Sequence, residues 1–353
     1  MKKILFSLGM FAILSVSSVY SQNYNDPCCD PCCDPCCSNG FYVGADFLYW
    51  TVYDADLDYA VNNTAGFDVA ITNGGESIMH FASYDWDPAF RVFVGYQDQC
   101  CGWDARASYL RFCGDKTSTV TFGDGVTDHL KPTLWSPAFG NDRCQTATAT
   151  TDIKYQLYDV TVGRACCICD GFTLRPFGGF RGLNLRQKLD VKYEGGRDFS
   201  NFDGIVTWDS CFDGYGLTGG FDWNLDFCGC FCAFATVAAS IVGGETDDLE
   251  IQSGPEGVNG SSEIVNNINS RERQFVGLPG YQLAIGLCYE KCCDTSCGCY
   301  CFKLGVGYEL NHWYNVPEVR RFVGSGNEAA NNGGGAKGCI MLHGLVARGT
   351  VSF

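Results

Sequence analysis

Cysteine is the residue type in this sequence with the widest possible chemistry, because thiols form disulfides, bind soft metal ions and carry out redox reactions. The 353-residue chain contains 24 cysteines, most of them in short clusters with adjacent Cys-Cys pairs. We assign disulfide or cross-linking roles to Cys28, Cys29, Cys32, Cys33, Cys36, Cys37, Cys100, Cys101, Cys166, Cys167, Cys169, Cys228, Cys230, Cys292, Cys293 and Cys297.

Zinc binding is the alternative use of these thiols, since Cys292, Cys293, Cys297 and Cys299 offer four sulfur atoms in a short stretch. The adjacent Cys-Cys pairs and the lack of a nearby histidine disfavour it. Redox catalysis is disfavoured more strongly, because no isolated Cys-x-x-Cys precedes a helical pattern. We therefore predict no metal ion and no other cofactor.

Candidates for acid-base catalysis are few. Neither Gly-x-Ser-x-Gly, His-Glu-x-x-His nor a phosphate-binding loop occurs. Asp85 and Asp87 near His80 would allow an external hydrolytic site, but acidic loops are normally only solvated. With a net charge of −16, the chain offers no basic surface to nucleic acid. We predict neither an enzyme nor a nucleic-acid-binding protein. The only side chains able to act as a base near neutral pH are His80, His129, His312 and His343.

The first residues have the three parts of a secretory signal peptide. Lys2 and Lys3 precede an apolar stretch from Ile4 to Val16, and small and polar residues follow up to Ser21. The apolar stretch is too short for a spanning helix, which needs roughly 20 residues. We expect residues 1–21 to be removed on export, which places the thiols in an oxidising compartment.

Residues 22–40 are predicted to form an extended, exposed arm. From residue 27 to 37 the sequence repeats Pro-Cys-Cys-Asp. A proline at every fourth position is incompatible with a regular helix and with a central strand. The six thiols of this arm are therefore accessible for cross-linking.

From Phe41 the sequence changes to strict alternation of apolar residues with polar or small ones, the pattern of β-strands. Phe41, Val43 and Ala45 share one face of the first segment, and later segments, such as 215–227 and 300–310, are longer. Soluble strands are usually about 5 to 6 residues long. Alternating segments of ten or more residues with aromatic ends are typical of transmembrane barrels.

We therefore predict an all-β protein in which residues 41–353 form one transmembrane antiparallel β-barrel. The strand number is even and at least ten. Twelve is the preferred value and sixteen the upper limit, because the segments near 54–80, 115–150 and 184–211 contain shorter alternating stretches that would add hairpins.

The cysteine clusters occupy every second connection between these strands, and the alternate connections are long and rich in Gly, Asn and Asp. Barrels of this kind have short periplasmic turns and long extracellular loops. We expect the clusters and both chain termini to lie in the periplasm. Cys113 and Cys144 are exceptions in a long connection, and we expect them to pair with one another.

Charge on the lipid face of a barrel costs about 2 to 4 kcal/mol at mid-membrane for Arg or Lys, so charged residues of the strands must point into the lumen. Rings of such charges set the ion preference of a pore. If they instead pair with each other, the barrel is plugged. The residues predicted to line the lumen are Arg91, Asp104, Arg106, Lys154, Arg175, Arg181, Asp222, Lys303, Glu309 and Arg348.

The run Gly-Phe-Tyr-Val-Gly-Ala-Asp-Phe-Leu-Tyr-Trp at 40–50, and the segments 90–96 and 103–106, resemble the major-outer-membrane-protein-like family of Legionella and environmental relatives of Chlamydia. The closing strand, which ends at Phe353, is similar to that family as well, and a terminal aromatic residue resembles the signal that outer-membrane assembly machinery recognises. The repeated Cys-Pro arm departs from the family.

This resemblance implies an outer-membrane porin that passes ions and small hydrophilic solutes, forms homo-oligomers and is cross-linked by disulfides, including to other cysteine-rich envelope proteins. A structural or adhesin-type surface barrel without an open channel would present the same sequence pattern. The expected surroundings are the lipids of the outer membrane.

Overall fold

The alternating segments form one antiparallel sheet that closes on itself. The structure is a computed structural model in which residues 40–54, 57–63, 77–98, 102–124, 128–136, 139, 143–169, 171–228, 230–256, 268–295, 298–319 and 337–353 are described. The strands are β1 (Gly40–Asp54), β2 (Asp58–Asn63), β3 (Ser77–Phe81), β4 (Asp87–Asp98), β5 (Trp103–Thr121), β6 (Leu130–Pro132), β7 (Thr146–Arg164), β8 (Cys166–Cys169), β9 (Phe172–Gly195), β10 (Phe199–Cys228), β11 (Phe231–Glu256), β12 (Ile268–Thr295), β13 (Gly298–Pro317) and β14 (Lys337–Ser352).

Ten of these strands build the ring. Their order is β10-β11-β12-β13-β14-β1-β4-β5-β7-β9, and the pairing of β9 with β10 closes it. The first and last strands of the chain are neighbours, and the Phe353 amide donates to the Phe41 carbonyl at 2.9 Å. The short β8 extends the hairpin at the start of β9. The predicted arm and leader, residues 1–39, lie outside the described residues.

The all-β barrel with an even strand number is confirmed, at the lower limit of the expected range. The preferred number of twelve is wrong for the ring described here, because the extra alternating stretches form other structures. Residues 115–121 and 184–195 continue β5 and β9 beyond the length needed to cross a membrane. The stretch from 54 to 81 contributes β2 and β3, which pair with β6 in a separate three-stranded sheet.

Large apolar side chains cover the outer surface of the ring in a continuous band. Phe90, Val92 and Val94 on β4 are 45–47% exposed, and Leu304 and Val306 on β13 are 63–64% exposed. Aromatic side chains flank this band on both sides, as in the aromatic girdles of membrane barrels. Phe41 and Tyr96 pair at 5.2 Å near the short turns, and Tyr109 and Tyr158 at 5.0 Å near the opposite end. Across the described ranges, no helix is long and apolar enough to cross a membrane.

Several strands are much longer than the roughly 9–11 residues needed to span a bilayer. β9, β10, β11 and β12 have 24, 30, 26 and 28 residues. The excess length projects beyond the Tyr109–Tyr158 girdle, away from the short turns. We call this end, formed by β5 from residue 111, β7 up to residue 156, β9 from residue 184 and β10 up to residue 213, the tall wall.

The tall wall encloses a hydrophobic core of the kind found in soluble proteins. Its inner face carries Tyr155, Leu189 and Tyr193, each at most 1% exposed. The small sheet packs against this face, with Tyr59 and Leu130 fully or almost fully buried in the same cluster. The Tyr193 hydroxyl donates to the Tyr59 carbonyl at 2.8 Å. The core therefore fills the mouth of the barrel at the tall end.

Cys113 and Cys144 do not pair, contrary to the expectation from sequence. Cys113 is exposed on the outer face of β5 in register with Lys154. Cys144 is buried beneath the small sheet, where its backbone bridges to Leu130. The wall of the barrel separates the two thiols.

We predict that Cys144 is inert in the folded protein. Burial raises the pKa of the Cys144 thiol to about 12, so at pH 8 the thiolate that reacts with maleimides is strongly depleted and also shielded. Reaction with a maleimide at pH 8, mapped by peptide mass spectrometry, is expected to label Cys113 and to spare Cys144 until the protein is denatured. Equal labelling of the two residues before denaturation would show that the mouth is not packed as described.

Candidate functional site

The lumen is the place where charged side chains converge. All the residues predicted to line it point inward except Lys154. The structure thus places on the inner wall Arg91, Asp104, Arg106, Arg175, Arg181, Asp222, Lys303, Glu309 and Arg348.

Lys154 is exposed on the outer face of β7, so its predicted place in the lumen is wrong. It shares that face with Tyr158, Val160 and Val162, which belong to the apolar band. The rule that charges must point inward applies only within hydrocarbon. Lys154 lies beyond the Tyr158 ring on the tall wall, where an outward charge is compatible with a polar environment.

Asp46 on β1 is the anion around which the lumen is organised. It is in register with Arg91 on β4 and with Arg348 on β14, so that a carboxylate stands between two guanidinium groups on neighbouring strands. Arg91 Nη1 lies 2.9 Å from Asp46 Oδ2, and Arg348 Nε lies 2.9 Å from Asp46 Oδ1. The Asp46 side chain has no exposed surface. Such charge-assisted pairs are the strong hydrogen bonds of proteins.

The network continues from Arg91 across the lumen. Arg91 Nη2 donates to Glu309 Oε1 at 2.5 Å, and the Gln282 amide donates to the same oxygen at 2.9 Å. Arg181 donates to Gln282 Oε1 at 3.1 Å and pairs with Asp159 through Nε at 2.7 Å. A continuous chain of polar contacts therefore joins β14, β1 and β4 to β13, β12, β9 and β7.

A second contact crosses the lumen next to this network, on the side of the tall wall. The Trp313 indole nitrogen donates to the Tyr155 hydroxyl at 3.1 Å. Trp313 lies on β13 and Tyr155 on β7, five places apart in the ring of ten, so the contact spans the full diameter. Both residues are at most 2% exposed. The two side chains therefore meet across the lumen at this level.

Towards the short turns, a cavity of about 250 Å³ lies below the network. Arg175 crosses it, pairing with Asp104 through Nε at 2.5 Å and with Asp222 through Nη1 at 2.7 Å. Arg106 lies over the Phe93 ring at 4.1 Å. Lys303 lies 3.1 Å from Glu290. The cavity is charged and open to water.

Two disulfides connect the strands beside this cavity. Cys232 on β11 joins Cys288 on β12, and Cys292 on β12 joins Cys301 on β13. Each joins two residues in direct register. The second disulfide removes one sulfur from the zinc site considered above. Cys232, Cys288 and Cys301 are outside the set to which cross-linking roles were assigned from sequence.

The remaining cysteine predictions divide into two groups. Cys167, Cys169, Cys230 and Cys293 are exposed at the end of the short turns, and Cys166 lies beside them on β8. The other assigned thiols fall outside the described residues: Cys28, Cys29, Cys32, Cys33, Cys36, Cys37, Cys100, Cys101, Cys297 and the side chain of Cys228.

The residues considered for catalysis make ordinary structural contacts. His80 Nε2 lies 3.1 Å from the Asn62 side-chain oxygen within the small sheet. Asp85 pairs with Lys116 at 2.7 Å. Neither contact joins a base to a nucleophile.

Sequence reasoning missed the residues that connect the lumen charges, namely Asp159, Gln282, Tyr155 and Trp313. Asp159 had a usable signal, because it alternates with Tyr158 and Val160 and so lies on the inner face of β7. The cross-lumen contacts of Gln282 and Trp313 had none, since they depend on the strand number and stagger of the closed ring.

We predict that Arg91→Met destabilises the barrel by about 3–5 kcal/mol, because Glu309 is left as a buried charge without its main partner. Asp46 keeps Arg348. The double variant Arg91→Met/Glu309→Gln is expected to recover part of the loss. Urea unfolding in lipid vesicles measures both. As a matched control, Arg186→Gln breaks the exposed pair with Asp209 and is expected to cost less than about 1 kcal/mol. Equal costs for the two single variants would contradict a stabilising network.

Comparisons with known proteins give low similarity to solved structures. The outer membrane protease OmpT from Escherichia coli is 8% identical with a TM-score of 0.37, covering 90% of this chain and 98% of that chain. A Pseudomonas aeruginosa FadL homologue is 8% identical with a TM-score of 0.26, covering 90% of each chain. No curated protein matches the sequence significantly.

The sequence itself matches a family model over residues 33–341, most of the chain. That model is described as the Legionella pneumophila major outer membrane protein precursor. The match confirms the resemblance drawn from the strand segments, and it agrees with a closed barrel that carries an apolar outer band. The chain is an outer-membrane β-barrel and belongs to the Legionella major outer membrane protein family.

Proposed function

We propose that this chain is a structural barrel of the outer membrane with a closed lumen, cross-linked through cysteines at its periplasmic end. The Trp313–Tyr155 contact across the full diameter carries the proposal. The ion-pair network closes the same cross-section from Arg348 to Asp159, and the hydrophobic core fills the mouth at the tall end. The open porin expected from sequence is therefore the second candidate, favoured by the resemblance from which it was inferred.

Strand number gives the physical reason for closure. Barrels of about eight strands are filled by their own side chains, whereas those of 16 to 18 hold an aqueous channel. A ring of ten is close to the first group, and this one contains large inward residues such as Trp208, Trp313 and Tyr155. Passage of solutes would require the polar chain and the aromatic contact to separate together.

We propose further that the short turns and both termini face the periplasm, with the tall wall outside the cell. Short periplasmic turns and larger external elements are usual in such barrels. Exposed Cys167, Cys169, Cys230 and Cys293 would then meet other copies of this chain or cysteine-rich envelope proteins on the periplasmic side. In this proposal the chain supports the envelope and has no catalytic role.

Planar bilayer recordings distinguish the closed barrel from the porin. Purified protein is expected to insert without producing channel steps. Folding of the purified protein is verified by the folded band on unheated gels. In the variant Trp313→Ala/Tyr155→Ala/Arg91→Met/Glu309→Gln, which removes the aromatic contact and also breaks the polar chain across the lumen, channel steps are expected to appear. Regular steps from the unmodified protein would establish the porin instead.

Thiol labelling of intact cells tests the orientation. A membrane-impermeant maleimide is expected to label Cys113 on the tall wall and not Cys230 or Cys293 at the turns, because the outer membrane shields the periplasm. After permeabilisation of the outer membrane, Cys230 and Cys293 are expected to react as well. Cys113→Ser provides the control for the signal from intact cells. Labelling of Cys230 and Cys293 but not Cys113 on intact cells would reverse the topology.

A further inference from the structure

The outer surface of the barrel changes from apolar to polar immediately beyond the Tyr109–Tyr158 ring pair. On the membrane side of this pair, Val160 and Val162 face outward and are 58% and 49% exposed. On the other side, the next outward residues are Arg111 on β5 and Gln156 on β7, which are direct partners in the sheet. Aromatic girdles mark the depth of the lipid headgroups. Arg111 and Gln156 therefore lie at or just beyond that depth.

Two outward cations at and just beyond this level have no carboxylate partner among the described residues. The Arg111 side chain hydrogen-bonds to the side chains of Cys113 and Tyr109. Arg111 and Lys154 are exposed, and among the described residues neither forms an ion pair. The other cations of the tall wall differ in this respect. Arg186 pairs with Asp209 at 2.7 Å, Lys188 with Asp190 at 2.6 Å, and Lys192 with Glu194 at 2.8 Å. Among these described cations, the two without a carboxylate partner therefore lie on β5 and β7, beyond the Tyr109–Tyr158 pair.

Gln156 completes a group of three donors. The Tyr158 hydroxyl donates to Gln156 Oε1 at 2.8 Å, which leaves the amide nitrogen available as a donor. Gln156 stands opposite Arg111, and Lys154 follows it on the same face of β7. Side chains directly opposite have Cβ atoms about 4.5–5.5 Å apart and diagonal neighbours about 7–8 Å. Groups at this spacing can contact one phosphate together.

The residues around these three donors lie on the neighbouring strand β9 and farther out along β5 and β7. On β9 the neighbouring donor Asn184 is engaged, because its amide donates to Asp213. Asp115 and Asp152 lie farther out along β5 and β7, away from the girdle. Asp213 on β10 lies in the same row of the sheet as Arg111 and Gln156, two strands from Gln156. On β5 and β7 themselves, a phosphate approaching from the membrane side meets Arg111 and Lys154 before Asp115 or Asp152.

We propose that Arg111, Gln156 and Lys154 bind the phosphate of a lipid in the leaflet next to the tall wall. Given the orientation under the proposed function, that lipid is the phosphorylated lipid A of lipopolysaccharide. The acyl chains would lie against Val160 and Val162, and the phosphate would receive charge-assisted hydrogen bonds from the two cations. The site does not depend on whether the lumen is open.

Native mass spectrometry of the full-length protein, released from detergent with added bis-phosphorylated lipid A, tests this proposal. The variant Arg111→Gln/Lys154→Gln is expected to weaken lipid A binding roughly thirtyfold, the factor for two surface cations. The matched control Lys188→Gln/Lys192→Gln makes the same change in net charge at paired lysines farther out. It is expected to stay within about twofold of the unmodified protein. Heat-dependent gel mobility verifies that both variants are folded.

Several results would overturn the proposal. An equal loss in the control would show a general charge effect, and no loss in the Arg111/Lys154 variant would remove the site. Dephosphorylated lipid A that binds as well as the phosphorylated form would exclude phosphate recognition. Stronger retention of phosphatidylglycerol than of lipid A would place the tall wall at the wrong leaflet. Conductance of the unmodified protein would contradict the closed lumen and leave this site untouched.

Discussion

The Asp46 carboxylate between Arg91 and Arg348 is the interaction on which the rest of the barrel interior depends. A lipid-spanning ring cannot place these charges outward, so they must find partners inside. Asp46 pairs with arginines on both neighbouring strands, and Arg91 has enough donors left to cross the lumen to Glu309. Gln282 and Arg181 extend the chain to Asp159. Each added partner satisfies a charge and also ties another strand to the centre.

The narrow ring makes this arrangement feasible. In a wide barrel the opposite walls are too far apart for an arginine to reach across, and water would solvate its charge instead. In the ring of ten, Trp313 and Tyr155 touch across the full diameter. Breaking one member of a buried network leaves its partner without compensation, which costs more than the interaction itself contributes. The proposed closed state would therefore be stabilised by the penalty for opening it, in addition to the contacts themselves.

The sequence predicted the elements of this structure better than their connections. Alternation identified the strands, and the rule that charges face inward placed Arg91, Glu309 and the other lumen residues correctly. The same rule failed for Lys154, because it assumes hydrocarbon outside and β7 continues beyond it. The disulfide partners Cys232–Cys288 and Cys292–Cys301 follow from the register between β11, β12 and β13, which alternation does not determine. The register and the strand number are properties of the closed ring as a whole.

β7 changes the character of both of its faces where it leaves the membrane. β7 has an outward apolar face at Val160 and an outward polar face from Gln156 on, with the change at a single tyrosine. On the inner face the order is reversed, from Asp159 in the membrane to Ile153 and Ala149 in the mouth. One strand is therefore a membrane element with a polar interior and then a soluble element with an apolar interior. This exchange of faces requires a boundary at a defined depth. Arg111 lies at that boundary and Lys154 one row beyond it.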